Sequence, residues 1–395
     1  MSSPYRNLTI AEITRETSDA VTIHLEHPDR QIIPYKPGQF LTLILPVNGK
    51  EERRSYSLCS TPSDGARLSL TVKRVRGGAV SNFLIDQARV GQEIKVMDPL
   101  GHFYFSLQPE SKRHVLLFGA GSGITPLMSI LKTVLREEPG SKVTLLYGNR
   151  NEDTVIFRQP LAQLQTLFPD RLHIEYIYSQ PTGTCTHCSR EQDPKQEPPK
   201  KASGFFSFLK KAVKEKPPVC EHRGRMNRSS IIKILERLQL TKSGDALYYV
   251  CGPAGMMEEV QQALKLLKVP QERVFRESFV TEKLAGKVAA AQGAVPAADE
   301  PAAITTQTIT LIYEGAEYKV EVQPDQTILE AALAQNIDMP YSCQAGLCTA
   351  CRGKCLQGKI HMDEREGLSD AELDEGYVLN CVGHPLTDDV VIEIG

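Results

Sequence analysis

Nothing in the 395 residues approaches the run of about 18 uninterrupted apolar side chains that a membrane-crossing helix needs. The opening stretch, MSSPYRNLTIAEITRET, lacks a basic segment followed by an apolar run, so neither a secretory signal nor a transit peptide is expected and the cytoplasm is the default compartment. No internal repeat shows at the periods of solenoids or propellers. Nor is there an overall excess of one charge, the formal net value being −2. What remains is a hydrophobic fraction of 41% beside 24% charged residues, the composition of a soluble globular protein. Its length exceeds what one core usually supports, so two or three domains are expected.

The small net charge hides an asymmetry. Residues 306–395 hold 5 basic and 16 acidic side chains, whereas residues 1–282 hold 39 and 30. Opposite lobes of this kind steer docking, and an acidic lobe argues against nucleic acid as a partner. Ten cysteines are many for a reducing compartment, where a spaced cluster points to a metal site or catalysis and not to disulfides.

The first hundred residues read as short strands, among them AVTIHLEH, GQFLTLILP, RRSYSLC and RLSLTVKRV, which predicts an antiparallel barrel over 1–108. From His114 strands alternate with amphipathic helical stretches, the mark of a parallel sheet covered by helices over 109–282. Residues 283–305, rich in Ala and Pro, read as a linker. A small mixed domain over 306–395 opens with a hairpin and a capping box from Thr327 to Glu330. Residues 181–223 interrupt the middle domain as an insertion.

Cys343-x4-Cys348-x2-Cys351 with Cys381 far downstream has the ligand spacing of a plant-type [2Fe-2S] cluster. Four thiolates must hold two irons, and small residues in the loop let backbone N–H groups approach the sulfurs. A structural zinc site or chance thiols compete for the same cysteines, but the loop matches the cluster pattern throughout. Cys355 falls outside it, as an ordinary strand residue.

Two further patterns suit phosphates. Arg54-Ser55-Tyr56-Ser57 lies in a barrel strand and Gly77-Gly78-Ala79-Val80-Ser81 at a helix start. Either alone could be a plain surface feature. Together they suit a flavin, with Arg54 on a phosphate, Tyr56 over the ring, Ser57 near N5 and the Gly78–Ser81 helix start on phosphate. Gly119-Ala-Gly121-Ser-Gly123-Ile-Thr125-Pro126 follows a strand and opens a helix, where bare amides favour a pyrophosphate, although a glycine-rich turn of any α/β domain reads similarly. Cys251-Gly252-Pro253 ends a later strand at the edge where ligands bind, a buried core cysteine being the other reading.

In order, RSYS, GGAVS, GAGSGITP, YGNR, YVCGP, RESF and the four cysteines resemble the ferredoxin-NADP reductase superfamily with a fused ferredoxin. The wording of FRQPL, CGPAGMM and GLCTACRGKCLQGK is most similar to reductase subunits of phenylacetyl-CoA epoxidase complexes; those of ring- and steroid-hydroxylating oxygenases are similar. The resemblance implies a Greek-key β-barrel flavin domain, an α/β nicotinamide domain and a β-grasp [2Fe-2S] domain. It implies that Arg54, Tyr56, Ser57 and Gly78 to Ser81 bind FAD, and that Gly121, Gly123, Thr125, Pro126, Gly252 and Pro253 receive the nicotinamide cofactor. Cys251 would then sit beside the nicotinamide, with Glu277 and Phe279 at the flavin edge. Ser57, Cys251 and Glu277 form the expected catalytic set, and an oxygenase component, docking through the acidic ferredoxin domain, is the expected acceptor. A carrier or redox sensor without turnover is the competing reading, and hydride geometry at Ser57, Gly121 and Cys251 speaks against it.

Three features depart from the pattern or qualify it. The strand KVTLLYG ends without the acidic residue that favours an NAD ribose, and Arg150 follows where a 2′-phosphate would lie, which predicts NADPH over NADH. The insertion carries Cys185-x2-Cys188 and Cys220-x-His222, half a zinc signature, against which stands a solvated insert. Its stretch GFFSFLKKAVKEK would place Phe205, Phe208, Leu209 and Ala212 on one helical face, suited to a partner or membrane surface, or else to a marginal solvated helix.

Overall fold

The computed structural model describes residues 5–182, 220–241, 245–279 and 305–394, except positions 342, 345, 347, 366 and 369. Three sheets follow one another along the chain. In the first, β1 (Tyr5–Thr17), β2 (Ala20–Glu26), β3 (Phe40–Val47), β4 (Lys50–Ser57), β5 (Arg67–Lys73) and β6 (Glu93–Met97) pair antiparallel in the order β4-β3-β6-β1-β2-β5. A bridge from Leu58 to Leu70 joins the two outer strands and curls the sheet toward closure. Alternating side chains such as Leu8, Ile10, Ile23, Leu25, Leu41 and Leu43 fill its interior. Helix α1 (Ala79–Asp86) covers one end.

The second sheet is wholly parallel. Its strands β7 (His114–Ala120), β8 (Lys142–Asn149), β9 (Leu172–Tyr178), β10 (Cys220–Arg223), β11 (Leu247–Gly252) and β12 (Val274–Ser278) lie in the order β10-β9-β8-β7-β11-β12. Helices α2 (Ile124–Glu137), α3 (Arg158–Leu167), α4 (Arg228–Arg237) and α5 (Ala254–Leu266) accompany it, and apolar clusters lie on both faces of the sheet. The order reverses between β7 and β11, which makes a crevice outside the carboxyl ends of those two strands. The last four residues assigned to the insertion are β10, an edge strand in register with β9.

The third sheet runs β14 (Ala316–Val322), β13 (Gln307–Tyr313), β19 (Val391–Ile394), β15 (Arg352–Gln357), β17 (Tyr377–Leu379). Helix α6 (Ile328–Ala334) packs Ile328 and Leu329 into its core, and the capping box holds, Thr327 Oγ1 accepting from the Glu330 amide. A short helix α7 (Asp370–Asp374) and the pair β16 (Ile360–Met362) and β18 (Gly383–Pro385) complete it. No helix among the described residues is long and apolar enough to cross a membrane.

Candidate functional site

The crevice at the strand reversal gathers residues from four strand ends. Gly121 takes a left-handed φ of +55°, and Gly123 packs so closely on β11 that a Cβ there would stand 2.1 Å from the Cys251 carbonyl oxygen. Only glycine permits this approach. Helix α2 starts at that turn without a side-chain cap, so its first N–H groups face the crevice unclaimed by a side chain. Thr125 Oγ1 donates to the Ser122 carbonyl at 2.8 Å and Pro126 is buried in the first turn, so both shape the turn. Tyr147 fastens it from below, donating to the Gly121 carbonyl at 3.1 Å.

At the end of β8 the Asn149 amide is buried beside the Tyr147 hydroxyl, with no hydrogen bond of ordinary length to its nitrogen or its oxygen. A buried amide so placed fits a ligand-binding edge. Arg150 follows with its side chain exposed. Gly252 abuts Ala120, a Cβ on it meeting the Ala120 nitrogen at 3.2 Å, and Pro253 precedes α5, which also lacks a side-chain cap.

The barrel contributes Ser57. Its Oγ donates to Glu277 Oε2 at 3.3 Å across 220 residues of sequence, and Glu277 lies in register with Cys251 on the neighbouring strand. Burial pushes the Glu277 carboxyl up to about 8, against the opposing pull of the Ser57 hydroxyl. Burial, with Glu277 beside it, also holds the Cys251 thiol well above its ordinary value. At pH 7 the thiol is therefore protonated and the carboxyl mostly so. Phe279, 43% exposed, stands two residues beyond Glu277.

On the barrel, Arg54 pairs with Glu52 at 3.1 Å, and burial raises the Tyr56 phenol despite Arg54 nearby. Gly77 has a φ of +74°, and Gly78 is the N-cap of α1, which has no side-chain cap. Ser81 is buried and its Oγ accepts from the Val75 amide at 3.1 Å, holding the turn in shape. The sequence reading missed Lys73, whose Nζ lies 3.5 Å from where a Gly121 Cβ would be. A lysine ending a strand carries no signal beyond its charge; only the fold brings it to the glycine turn.

In the third domain the four expected cysteines converge. Cys381 is within hydrogen-bonding reach of Cys343 and Cys351, and Cys348 of Cys343, which raises the Cys381 and Cys348 thiols. Crowded thiols that resist ionisation are what four ligands look like before a cation neutralises them. Gly346, with φ +69°, leaves no room for a side chain against Glu364, and Gly367 none against the Gly346 carbonyl. Asn380 Nδ2 donates to the Cys351 carbonyl at 2.9 Å and locks the distant ligand to the loop. Cys355 sits in β15 and donates to the Gln357 carbonyl at 3.3 Å, an ordinary strand residue as expected. The donor set fits a two-iron cluster.

The zinc expectation fares differently. Cys185, Cys188 and the GFFSFLKKAVKEK stretch lie outside the described residues. His222 turns its Nε2 to Glu175 Oε2 at 2.6 Å and lies 3.4 Å from an Arg237 nitrogen, an ion-pair setting beside a cation that lends zinc no support.

Family models match the chain in three blocks: an oxidoreductase FAD-binding domain at 7–105, an oxidoreductase NAD-binding domain at 117–197 and a 2Fe-2S iron-sulfur cluster binding domain at 311–386. A component of 1,2-phenylacetyl-CoA epoxidase from Escherichia coli K12 is 33% identical, the alignment covering 98% of this chain and 97% of that one. The ferredoxin reductase component of 3-ketosteroid-9-alpha-monooxygenase from Rhodococcus rhodochrous is 34% identical over 98% and 96%. Among solved structures, phthalate dioxygenase reductase superposes over all of both chains with a TM-score of 0.55 at 22% identity, a likeness of fold.

Proposed function

From the premise that the chain belongs to the ferredoxin-NADP-reductase-type oxidoreductases with FAD-binding, NAD-binding and C-terminal [2Fe-2S] domains, we propose that it draws on NADPH and serves an epoxidase acting on phenylacetyl-CoA. Its general work is that of an oxygenase's reductase component, carrying electrons from NAD(P)H through FAD and the cluster. FAD bound there would supply a site that takes the two electrons of one hydride and gives them up one at a time, as a [2Fe-2S] cluster requires.

The chain's own residues would divide the work. Arg54, Tyr56, Gly78 and Ser81 would hold FAD; Gly121, Gly123, Thr125, Pro126, Gly252 and Pro253 would seat the nicotinamide cofactor, with Lys73 adding positive charge at the turn. Cys343, Cys348, Cys351 and Cys381 would hold the irons. Ser57, Cys251 and Glu277 would line the place of hydride transfer. Glu277, raised to about 8, is mostly protonated at neutral pH and Cys251 stays a thiol, so neither sets a fixed negative charge against an arriving hydride. Phe279 would cover the opening and limit water. The contact between Ser57 and Glu277, which ties barrel to nicotinamide sheet beside Cys251, carries this reading.

Preference for NADPH rests on Asn149 ending β8 where NAD enzymes place an acid, with Arg150 exposed beside it. Replacing Arg150 by Ala should raise KM for NADPH about tenfold and leave KM for NADH unchanged; equal use of both cofactors by the parent chain overturns the preference. The partner rests on the full-length alignment with the epoxidase component. The 34% identity to the ketosteroid component favours a steroid hydroxylase as the second reading. Reconstitution with each oxygenase, following NADPH-dependent product, separates them. A carrier without turnover would reduce no dye from NADPH.

A further inference from the structure

The third domain touches the barrel at two places that bracket its cysteine loop. Before the loop, Arg53 of β4 reaches Asp338 at 3.1 Å, and its guanidinium lies 4.4 Å from the Tyr341 ring centroid. Tyr5 joins them, its hydroxyl 3.3 Å from Asp338. After the loop, Arg352 donates to His102 Nε2 and to Glu372 Oε1, both at 2.6 Å. Tyr341 is two residues ahead of Cys343, and Arg352 directly follows Cys351.

On the barrel these contacts lie at opposite ends of the flavin segment. Arg53 is opposite Ile44 on β3, whereas Ser57 is opposite Phe40, and Phe40 bridges Leu100, two residues before His102. The stretch Arg54–Ser57 thus runs between the two points of attachment, and so does the cluster loop. Arg53 is only 6% exposed, so its charge is desolvated and depends on the carboxylates of Asp338 and Glu51.

We propose that Arg53 and His102 are positioning residues that seat the cluster loop along the flavin strand, Arg53 by clasping Asp338 beneath Tyr341 and His102 by receiving Arg352. Each crossing would then oxidise the reduced flavin by one electron and reduce the cluster by one; the cluster would pass that electron to the acceptor component before the second crossing, and the proton delivered with the hydride would leave to solvent. Fixing both ends of the loop holds the span between donor and acceptor constant. A loop attached at one end would sample longer spans and transfer more slowly. None of this depends on which oxygenase receives the electrons.

The test uses the full holoprotein. After mixing with NADPH, flavin bleaching and cluster reduction are followed separately, and the solution shape is measured by small-angle X-ray scattering. Asp338→Arg should leave flavin bleaching unchanged, slow cluster reduction at least about tenfold and increase the radius of gyration. Arg53→Asp combined with Asp338→Arg should restore both. His102→Ala should slow cluster reduction alone. Asp338 is more than half exposed, so Asp338→Asn provides a mild variant in which the fold persists. Wild-type cluster reduction with unaltered scattering in Asp338→Arg and His102→Ala overturns the seat.

Discussion

Glu277 is the titrating member of its pair with Ser57, and its direction is fixed by its burial and by the serine hydroxyl. Burial raises the carboxyl and the Ser57 hydroxyl, which stabilises the ionised form, pulls it back toward about 8. NADPH-dependent flavin reduction should therefore be flat below pH 7 and fall as pH rises through about 8. In Glu277→Gln the fall should vanish. In Ser57→Ala it should move to still higher pH, because the group that favoured ionisation has gone. A stopped-flow pH series on the three proteins checks this, and a fall that persists in Glu277→Gln assigns the limb to another group. Gly123 supports a steric prediction. Its Cβ would meet the Cys251 carbonyl, backbone that cannot swing aside, so Gly123→Ala should weaken NADPH binding about tenfold and destabilise by roughly 1–3 kcal/mol. Gly255 in α5 has nothing within 4 Å of its Cβ position, and Gly255→Ala should gain roughly 0.5–1 kcal/mol with binding untouched. Titration by fluorescence and thermal melts report both.

At the scale of elements, the edge strand β10 is tied to the sheet by more than its ladder. Glu175 on β9 is fully buried and takes His173, His222 Nε2 at 2.6 Å and Arg237 at 2.9 Å. Burial pushes its carboxyl up, but the hydrogen bonds from His173 and His222 and the charge of Arg237 outweigh it and hold the group down at about 2. A depressed carboxyl lends stability that is present above its unfolded value of about 4.3 and is lost as pH falls toward 2. Acid unfolding of the parent should show that loss, whereas Glu175→Gln should lack it and be less stable at pH 7 by roughly 1–3 kcal/mol, the half-exposed Arg237 being partly rescued by water. Urea melts at pH 3 and 7 measure the difference. Periodicity made most elements legible: the strands of both large sheets other than β10, with α2, α4 and α5, lie where apolar spacing puts them, because each buries one face in a core, whereas the four-residue β10 is too short to show a period and read as part of the insertion. The cluster cysteines were legible for a related reason, three ligands falling within nine residues at fixed spacing. Contacts between distant segments left no local trace. Nothing near Lys73 announces Gly121, and Arg53 stands 285 residues before Asp338. The pairing of Ser57 with Glu277 left no local trace either: the family resemblance puts each of them at the flavin without joining them, and 220 residues separate the two.

For the whole molecule, the acidic third domain opposes a basic remainder, and only part of its charge is engaged internally. Asp338 and Glu372 face arginines, one on the barrel and one within the third domain, while Glu314, Glu317, Asp374, Glu375, Asp388 and Asp389 are exposed. Exposed charges act over about a Debye length, near 10 Å at 0.1 M salt, so they bear on encounter with a partner far more than on transfer inside the chain. Electron delivery to an oxygenase component should therefore slow severalfold between 0.05 and 0.5 M salt, while NADPH-driven dye reduction at the flavin should change little. Reversing Asp374 and Glu375 to Lys should slow delivery at low salt and flatten its salt dependence, leaving dye reduction at the parent rate. Equal salt slopes in parent and variant would place docking on another face. These charges lie outside the contacts that bracket the cysteine loop, so a slowed encounter with unaltered internal transfer separates recruitment of the acceptor from seating of the cluster.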